Sequence, residues 1–367
     1  MSSKSLQDIL GFLPLTESLR TVASGVPDPF PAEFATVLPQ HKIIGDKAKY
    51  IRISGERRTS KLAKYGAPAR RRTLKDIGDA TVRCLHTFEE YQIDPTILMS
   101  LRSFEQYEQD KGLDWLRYQN EEAAKRHQNT RTIGKASVLA LGALYWDSDG
   151  NLLPTSSGAA DTYDFGIPAT HKNQINGNIT GSWVSHTADI LGDIRRIKQY
   201  SRQETGMEIT AALYGINVPK YIQQNDYTSA YLSRNASMNE KMMTSGEIPD
   251  GFADIKNWYP VYNTFYESDD AGTVSTIWPN DQITFVPNVT QADKMTWWAQ
   301  FEGSFPVPIS IDVQPGADAM GNFRVEYGMF AYALPSANPP GFTVFHGDTE
   351  LPAIRNEKSV FLATVAY

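Results

Sequence analysis

Apolar residues change their spacing several times along this chain, and the changes divide it. Residues 1–41 hold no sustained period. GVPDPFPAEFATVLPQ carries Pro27, Pro29, Pro31 and Pro39, which deny helix and favour an open, polyproline-like path. Phe12, Leu13, Val22, Phe30, Phe34 and Val37 have no obvious local core. An extended arm is expected, packing on another part of the protein or on another chain. Over 42–93 the pattern alternates in places, with Tyr50, Ile51 and Ile53 among Lys49, Arg52 and Ser54. It breaks at SGERR and YGAPA and resumes in TVRCLHTF, which predicts a long β-hairpin. That hairpin has too little apolar material to fold alone.

From Asp94 the period is helical. Ile97, Leu98, Leu101, Phe104, Leu113 and Leu116 form the stripe, Asp94 suits the N-cap and Pro95 the first helical position. Lys125, Arg126 and His127 oppose the dipole at the far end. A helix of about 30 residues spans roughly 45 Å, and Gly112 is expected to mark a bend or break. A strand pair is expected in ASVLALGALYWDSDGNLLP. Its turn, Asp147 to Asn151, lacks the later ligands of a calcium loop and reads as a plain turn. Ile190, Leu191, Ile194 and Ile197 predict a second amphipathic helix ending at Gly206. ITAALYG (209–215) reads as a buried strand and VPKYIQQND as a short helix. Helix, strand, helix implies an α/β layer. The last third, through ITFVPN, MTWWAQFEGSF, FRVEYGMFAYAL and SVFLATVAY, is β-rich.

At 367 residues, 41% hydrophobic and 21% charged, the chain has material for a packed core and no sign of wholesale disorder. One cysteine, Cys84, excludes an intrachain disulfide framework and a multi-cysteine metal site. In its alternating run it reads as a buried small hydrophobe, and a reducing cytosol is the expected place of synthesis. No cleavable signal is expected at the N-terminus, where Gly11 and Pro14 interrupt the apolar run. The stretch 133–146 is too short for a bilayer and contains Lys135.

Charge changes the picture most. The chain carries −7, yet Lys42 to Lys75 gathers twelve basic residues against Asp46 and Glu56, a net +10, which leaves −7 − 10 = −17 for the rest. Three readings of this limb compete: a nucleic-acid-binding arm acting through 57–75, a solvated loop, and a limb that lies on an acidic neighbouring copy. The first wants interleaved aromatics, of which only Tyr50 and Tyr65 are available. The third accounts for both the sign and the lack of apolar content.

Catalytic signatures are missing: HExxH, CxxC, GxSxG, GxGxxG and phosphate-loop patterns do not occur. The six histidines (41, 86, 127, 171, 186, 346) have no ligand spacing, and Glu89-Glu90 and Asp269-Asp270 fit solvated faces. No catalytic residue, cofactor or metal site is expected.

The parts in this order resemble the major capsid proteins of tailed bacteriophages, the lambda-type major capsid protein E family with the Hong Kong 97-type fold. GAPARRRTLKDIG followed by TFEEYQIDP is similar to the family's extended loop returning to its long spine helix. NEEAAKRHQNTRTIGKASVLALGALYWDSDGNLL and TYDFGIPATHKNQI resemble the helix end and the segment after it; Asp164-Phe165-Gly166 has no kinase context. ITGSWVSHTADILGDI with Trp183, IWPNDQITFVP and ELPAIRNEKSVFLATV resemble the axial-domain entry, a strand element and the closing pattern.

The resemblance implies an α+β Hong Kong 97-like capsid fold: N-terminal arm (1–41), extended β-hairpin loop (42–93), and a peripheral domain with its spine helix (94–185). An axial α/β domain (186–320) and C-terminal strands returning to the peripheral domain (321–367) complete it. It implies a virion protein, made in the host bacterial cytoplasm, that forms pentamers and hexamers of an icosahedral head around double-stranded DNA. A separate scaffolding protein, a portal and a decoration protein are the implied partners, with loose proximity to DNA and no membrane. Arg57, Arg58, Lys61, Lys64, Arg70, Arg71 and Arg72 of the loop, and Phe30, Phe34 and Val37 of the arm, are the expected intersubunit contacts.

Overall fold

A computed structural model of the chain describes residues 9–26, 28–31, 34, 41–52, 78–103, 105–148, 150–153, 156–172, 179, 181–262, 264–266, 274–287, 297–308, 323–337 and 340–366. Its elements run α1 (Phe12–Gly25), β1 (His41–Ile43), β2 (Lys47–Arg52), β3 (Gly78–Arg83), β4 (Leu85–Ile93), α2 (Pro95–Arg102) and α3 (Gln106–Leu141). Then come β5 (Ala143–Trp146), β6 (Leu152–Leu153), β7 (Asp161–Asp164), α4 (Ile190–Glu204), β8 (Ala211–Tyr214), α5 (Val218–Gln224), α6 (Asp226–Ser233) and α7 (Ala236–Ser245). The last third is β9 (Asn257–Pro260), β10 (Thr264–Tyr266), β11 (Val274–Thr276), β12 (Gln282–Val286), β13 (Trp298–Pro308), β14 (Phe323–Tyr327), β15 (Phe330–Ala337), β16 (Pro340–Ile354) and β17 (Phe361–Thr364).

The α3 helix is the spine. Its 36 residues extend about 54 Å at the usual rise. The break foreseen at Gly112 lies earlier, where Ser103 and Glu105 take extended backbone between α2 and α3. Gly112 is inside α3 and serves packing: a Cβ there would lie 3.0 Å from Leu101, so its absence lets α2 fold back against the spine. The far end corrects a second expectation. ASVLAL is helix, not strand, because Ala136, Val138, Leu139 and Ala140 are buried on every side. A helix wrapped by core has no polar face and therefore no amphipathic period. It stops at Gly142, whose φ of 70° provides a left-handed cap.

Two sheets flank this spine. In the six-stranded one, β16 runs antiparallel to β4 (Phe342↔Ile93 through Glu350↔Leu85), to β15 and to β13; β1 lies parallel on β13, and β14 pairs with β13. The other has the order β17-β12-β8-β9, with α4 to α7 contributing to its core. Strand membership cuts across the expected boundaries. Strand β13, inside 186–320, pairs in the six-stranded sheet, as does β4 from 42–93. The C-terminal β17 pairs with β12 in the second sheet and not with the first. Trp183 ties that closure: its backbone N–H donates to the Val365 carbonyl at 2.8 Å and its ring N–H to Asp193 at 2.9 Å.

The arm is the largest correction. Residues 12–25 are helical, with Leu15, Leu19 and Ala23 buried against Ala123, Ala124 and Leu116 of the spine. Proline is tolerated in a first helical turn, so Pro14 hides a helix without preventing it. The Thr16 hydroxyl donates to the Ala331 carbonyl (2.9 Å) and accepts from the Ala331 N–H (3.1 Å).

Candidate intersubunit surface

Strands β2 and β3 form the root of the hairpin, in register from Lys47↔Arg83 to Arg52↔Gly78. One face is apolar and satisfied at home: Ala48, Tyr50, Ala80 and Val82 are buried in the main core, and Tyr50 stacks on Phe301 at 5.5 Å. Burial raises the Tyr50 phenol above its ordinary range. The other face carries the exposed Lys47 and Lys49. At the inner end Arg83 holds Asp46 (2.8 Å); at the outer end Arg52 faces Glu357 (3.7 Å). Arg57, Arg58, Lys61, Lys64, Arg70, Arg71 and Arg72 lie outside the described residues, as does Val37.

Phe30 and Phe34 lie elsewhere than expected. Phe30 meets Trp278 edge-on at 6.2 Å, and Phe34 meets Trp297 and Trp298 at 5.9 and 6.0 Å. Both are buried within their own subunit, so their rings have no free surface for a neighbour. The aromatic partners that receive them are more than 240 residues away in sequence, which is why no local core was visible.

Beneath the hairpin lies a charged layer that sequence reading missed. Three residues of α3 at helical spacing, His127, Arg131 and Lys135, face inward. Arg131 binds Asp348 through both Nε and Nη2 at 2.6 Å, and its Nε is 3.4 Å from Glu350. Gln300 Nε2 donates to Glu350 at 2.7 Å. Lys135, fully buried, donates to Asp28 at 2.9 Å and so fastens the arm to the spine. Burial pushes Glu350 up to about 7, against the pull of Arg131. The i, i+4 recurrence of cations in RHQNTRTIGK was the available signal, but it reads equally as a solvated face.

Among the described residues no group of three His, Cys, Asp or Glu could hold a metal ion, and no helix is long and apolar enough to cross a membrane. Burial pushes the Cys84 thiol up to about 12, so it is an unreactive core residue. The Asp147 carboxylate accepts from the Asn151 N–H at 2.7 Å, as a plain turn does. In Asp164-Phe165-Gly166 the Asp164 carboxylate accepts from the Gly166 N–H two residues on at 2.8 Å, an Asx turn, and Phe165 is buried.

Two histidines make the subunit acid-sensitive. His171 stacks on Phe361 at 4.0 Å and His346 bonds Asn120 at 3.0 Å; burial lowers them to about 4 and about 3. Each stays neutral in the fold at pH values where the unfolded chain takes up a proton. Their stabilisation is therefore complete above pH 6.5 and is lost as pH falls toward 4, about 2 kcal/mol each by pH 5. Glu350 acts with the opposite sign between about 4.5 and 7, which blunts the loss. Histidine NMR at pH 5 should show at least two neutral imidazoles, and the melting temperature should fall from pH 7 to pH 5. Full protonation of all six rings at pH 5 would contradict this.

The profile of a family described as phage major capsid protein E matches residues 36–299. No curated protein matches the chain. Among solved structures the chain is similar to a phage-related protein from Bordetella bronchiseptica RB50, with TM-score 0.48, 11% identity, and coverage of 95% of this chain and 96% of that one. It is also similar to a putative prophage capsid protein from E. coli CFT073 (TM-score 0.46, 11% identity, 79% and 80% covered). A third is a satellite phage P4 procapsid that includes a size determination protein (TM-score 0.44, 9% identity, 96% and 99% covered). The assignment rests on the sequence match, which runs from the end of the arm through the spine and strands β8, β9 and β12 of the second sheet to the start of β13: the chain belongs to the phage major capsid protein E family.

Proposed function

We propose that copies of this chain join head-to-tail into pentamers and hexamers of an icosahedral head enclosing double-stranded DNA. As a member of its family the chain is a tailed-phage major capsid protein, a virion shell component and not an enzyme. The finer reading concerns how copies meet. What supports it is the separation of charge: residues 53–77 carry eight cations and two acids, +6, so the rest of the chain carries −7 − 6 = −13. A positive limb and a negative body on one subunit favour a heterologous contact, and such contacts close into rings.

In this reading the peripheral part is built on α3 and the six-stranded sheet, and the axial part on the second sheet with α4 to α7. The loop crosses to a neighbour, and an acidic body avoids gripping packaged DNA. A separate scaffolding protein, a portal and a decoration protein belong to the same reading. Expression alone and with the cognate scaffolding protein, followed by electron microscopy, tests it: closed shells are expected. Monomers under every condition would overturn it.

A further inference from the structure

We infer that helix α1 is a hinged guard. Its side chains stand in for a strand on the open edge of β15, and its release lets that edge pair with the same edge of a second copy. The contact is isologous, so it goes beyond the head-to-tail reading and does not rest on it.

The hydrogen bonds of β15 show which groups face the edge. On one side the strand pairs with β16, from Phe330↔Gly347 to Ala337↔Pro340, and on the other with no described strand. In an antiparallel pair, alternate residues turn both backbone groups away from the partner. Ala331 is one of them, since its N–H donates to the Thr16 hydroxyl and its carbonyl accepts from it. Met329 and Ala333 share that parity. Arg20 completes the imitation: Nε donates to the Met329 carbonyl at 2.8 Å and Nη2 to the Tyr327 carbonyl at 3.0 Å. Pro335, at the next outward position, has no N–H to offer and closes the open stretch.

Two side chains on a helix thus occupy the place of a neighbouring strand, on an edge that would otherwise recruit one. The residues beneath give a further reason for cover. Met329, Ala331 and Ala333 are buried in one cluster with Leu15 and Leu19 of α1. Lifting α1 bares this apolar strip together with its outward backbone groups. An antiparallel edge is complementary to its own two-fold image, so the partner it suits is a second copy of itself.

The arm divides into a fixed part and a movable one. Asp28 accepts from the buried Lys135 at 2.9 Å, and Phe30 and Phe34 sit against Trp278, Trp297 and Trp298, which anchors the chain downstream. Helix α1 is held less firmly. Its N-cap, Gly11, supplies no side-chain bond, its first turn has no acid and its last turn no base. Fourteen residues are too few for a helix to persist alone. A cleft of about 460 Å³ opens between its last turn and the spine, lined by Thr21, Val22, Gly25, Val26, Lys125 and Asn129. At Gly25 an added Cβ would meet nothing within 4 Å. Packing does not call for glycine there, whereas a hinge between helix and anchor does.

Thr16→Val with Arg20→Met removes the imitation and keeps the apolar stripe of α1. Glu326, 3.1 Å from Arg20, retains Arg324 at 2.7 Å. Amide hydrogen exchange of a peptide covering 329–334 should quicken about tenfold, with circular dichroism unchanged. Sedimentation of the unassembled fraction should show a discrete dimer at concentrations where the unaltered subunit has none. Adding Ala333→Pro tests the edge itself, since it removes an outward N–H and leaves the bonds to β16 intact; the monomer should return. Gly25→Ala should act in the opposite direction and slow the same exchange severalfold. Unchanged exchange in the double variant, faster exchange without a dimer, or a dimer that survives Ala333→Pro would each overturn the guard. Should the double variant not fold, Gly25→Ala decides, and exchange at 329–334 as fast as in the unaltered protein would overturn it. Shell formation by the unaltered protein is a separate observation, so failure here leaves the assembly reading standing.

Discussion

Asp348→Ala is expected to destabilise the subunit by about 3–5 kcal/mol, enough to abolish most soluble protein, because it strands a buried guanidinium. Arg131 has 9% of its side chain exposed and Asp348 has 5%, and the two are joined by a bidentate pair at 2.6 Å. Glu350, 3.4 Å from the same Nε, is held by Gln300 and is no full replacement. The loss is one of desolvation rather than of attraction, and that distinction can be measured. Arg131→Met combined with Asp348→Leu removes both charges and should cost well under the single substitution, since apolar replacements of buried pairs are often near neutral. Denaturant midpoints of the three variants decide it. A loss below 1 kcal/mol in Asp348→Ala, or strict additivity in the double variant, would show that water reaches the layer.

The distribution of successes along the chain follows from how far each contact reaches. Helix α4 was legible from Ile190, Leu191, Ile194 and Ile197 because one of its faces is wet. Strand β8 was legible because a short apolar run between turn signals has few other fates. The end of α3 was misread because Ala136 to Ala140 are buried all round, which removes the polar half of the period. The arm was misread because its partners are remote: Leu15 and Leu19 wait for Ala123 and Ala124, and Phe34 waits for Trp297 and Trp298. A proline-rich leader with no neighbour in sequence looks extended until distant elements close over it. The root of the hairpin was visible as alternation, whereas the layer below it was not. Arg131 and Lys135 are surface residues by type, and only the arrival of Asp348, Glu350 and Asp28 makes them interior ones. Sign asymmetry survived this difficulty because net charge needs no fold to be counted.

Arg70→Glu, Arg71→Glu and Arg72→Glu together should give a subunit that folds and does not assemble. The three changes alter charge by six, taking residues 53–77 from +6 to 6 − 6 = 0. The hairpin root is held by Tyr50 on Phe301 and by the buried Ala48, Ala80 and Val82, none of which the triple variant touches. Its melting temperature should therefore lie within a few degrees of the unaltered subunit. Each exposed pair lost is worth about 1 kcal/mol or less, yet the same loss repeats at every contact of a ring. Several kcal/mol spread around a hexamer is enough to move assembly out of the accessible concentration range. Screening supplies the control that a folding defect would not mimic. Raising ionic strength from about 0.05 to 0.5 M shortens the Debye length to a few ångströms. That should weaken assembly of the unaltered protein and relieve part of the new repulsion in the variant, so that their yields converge. Shells of normal yield from the triple variant at low salt would place the cluster outside any subunit contact, and the positive limb would then need another partner.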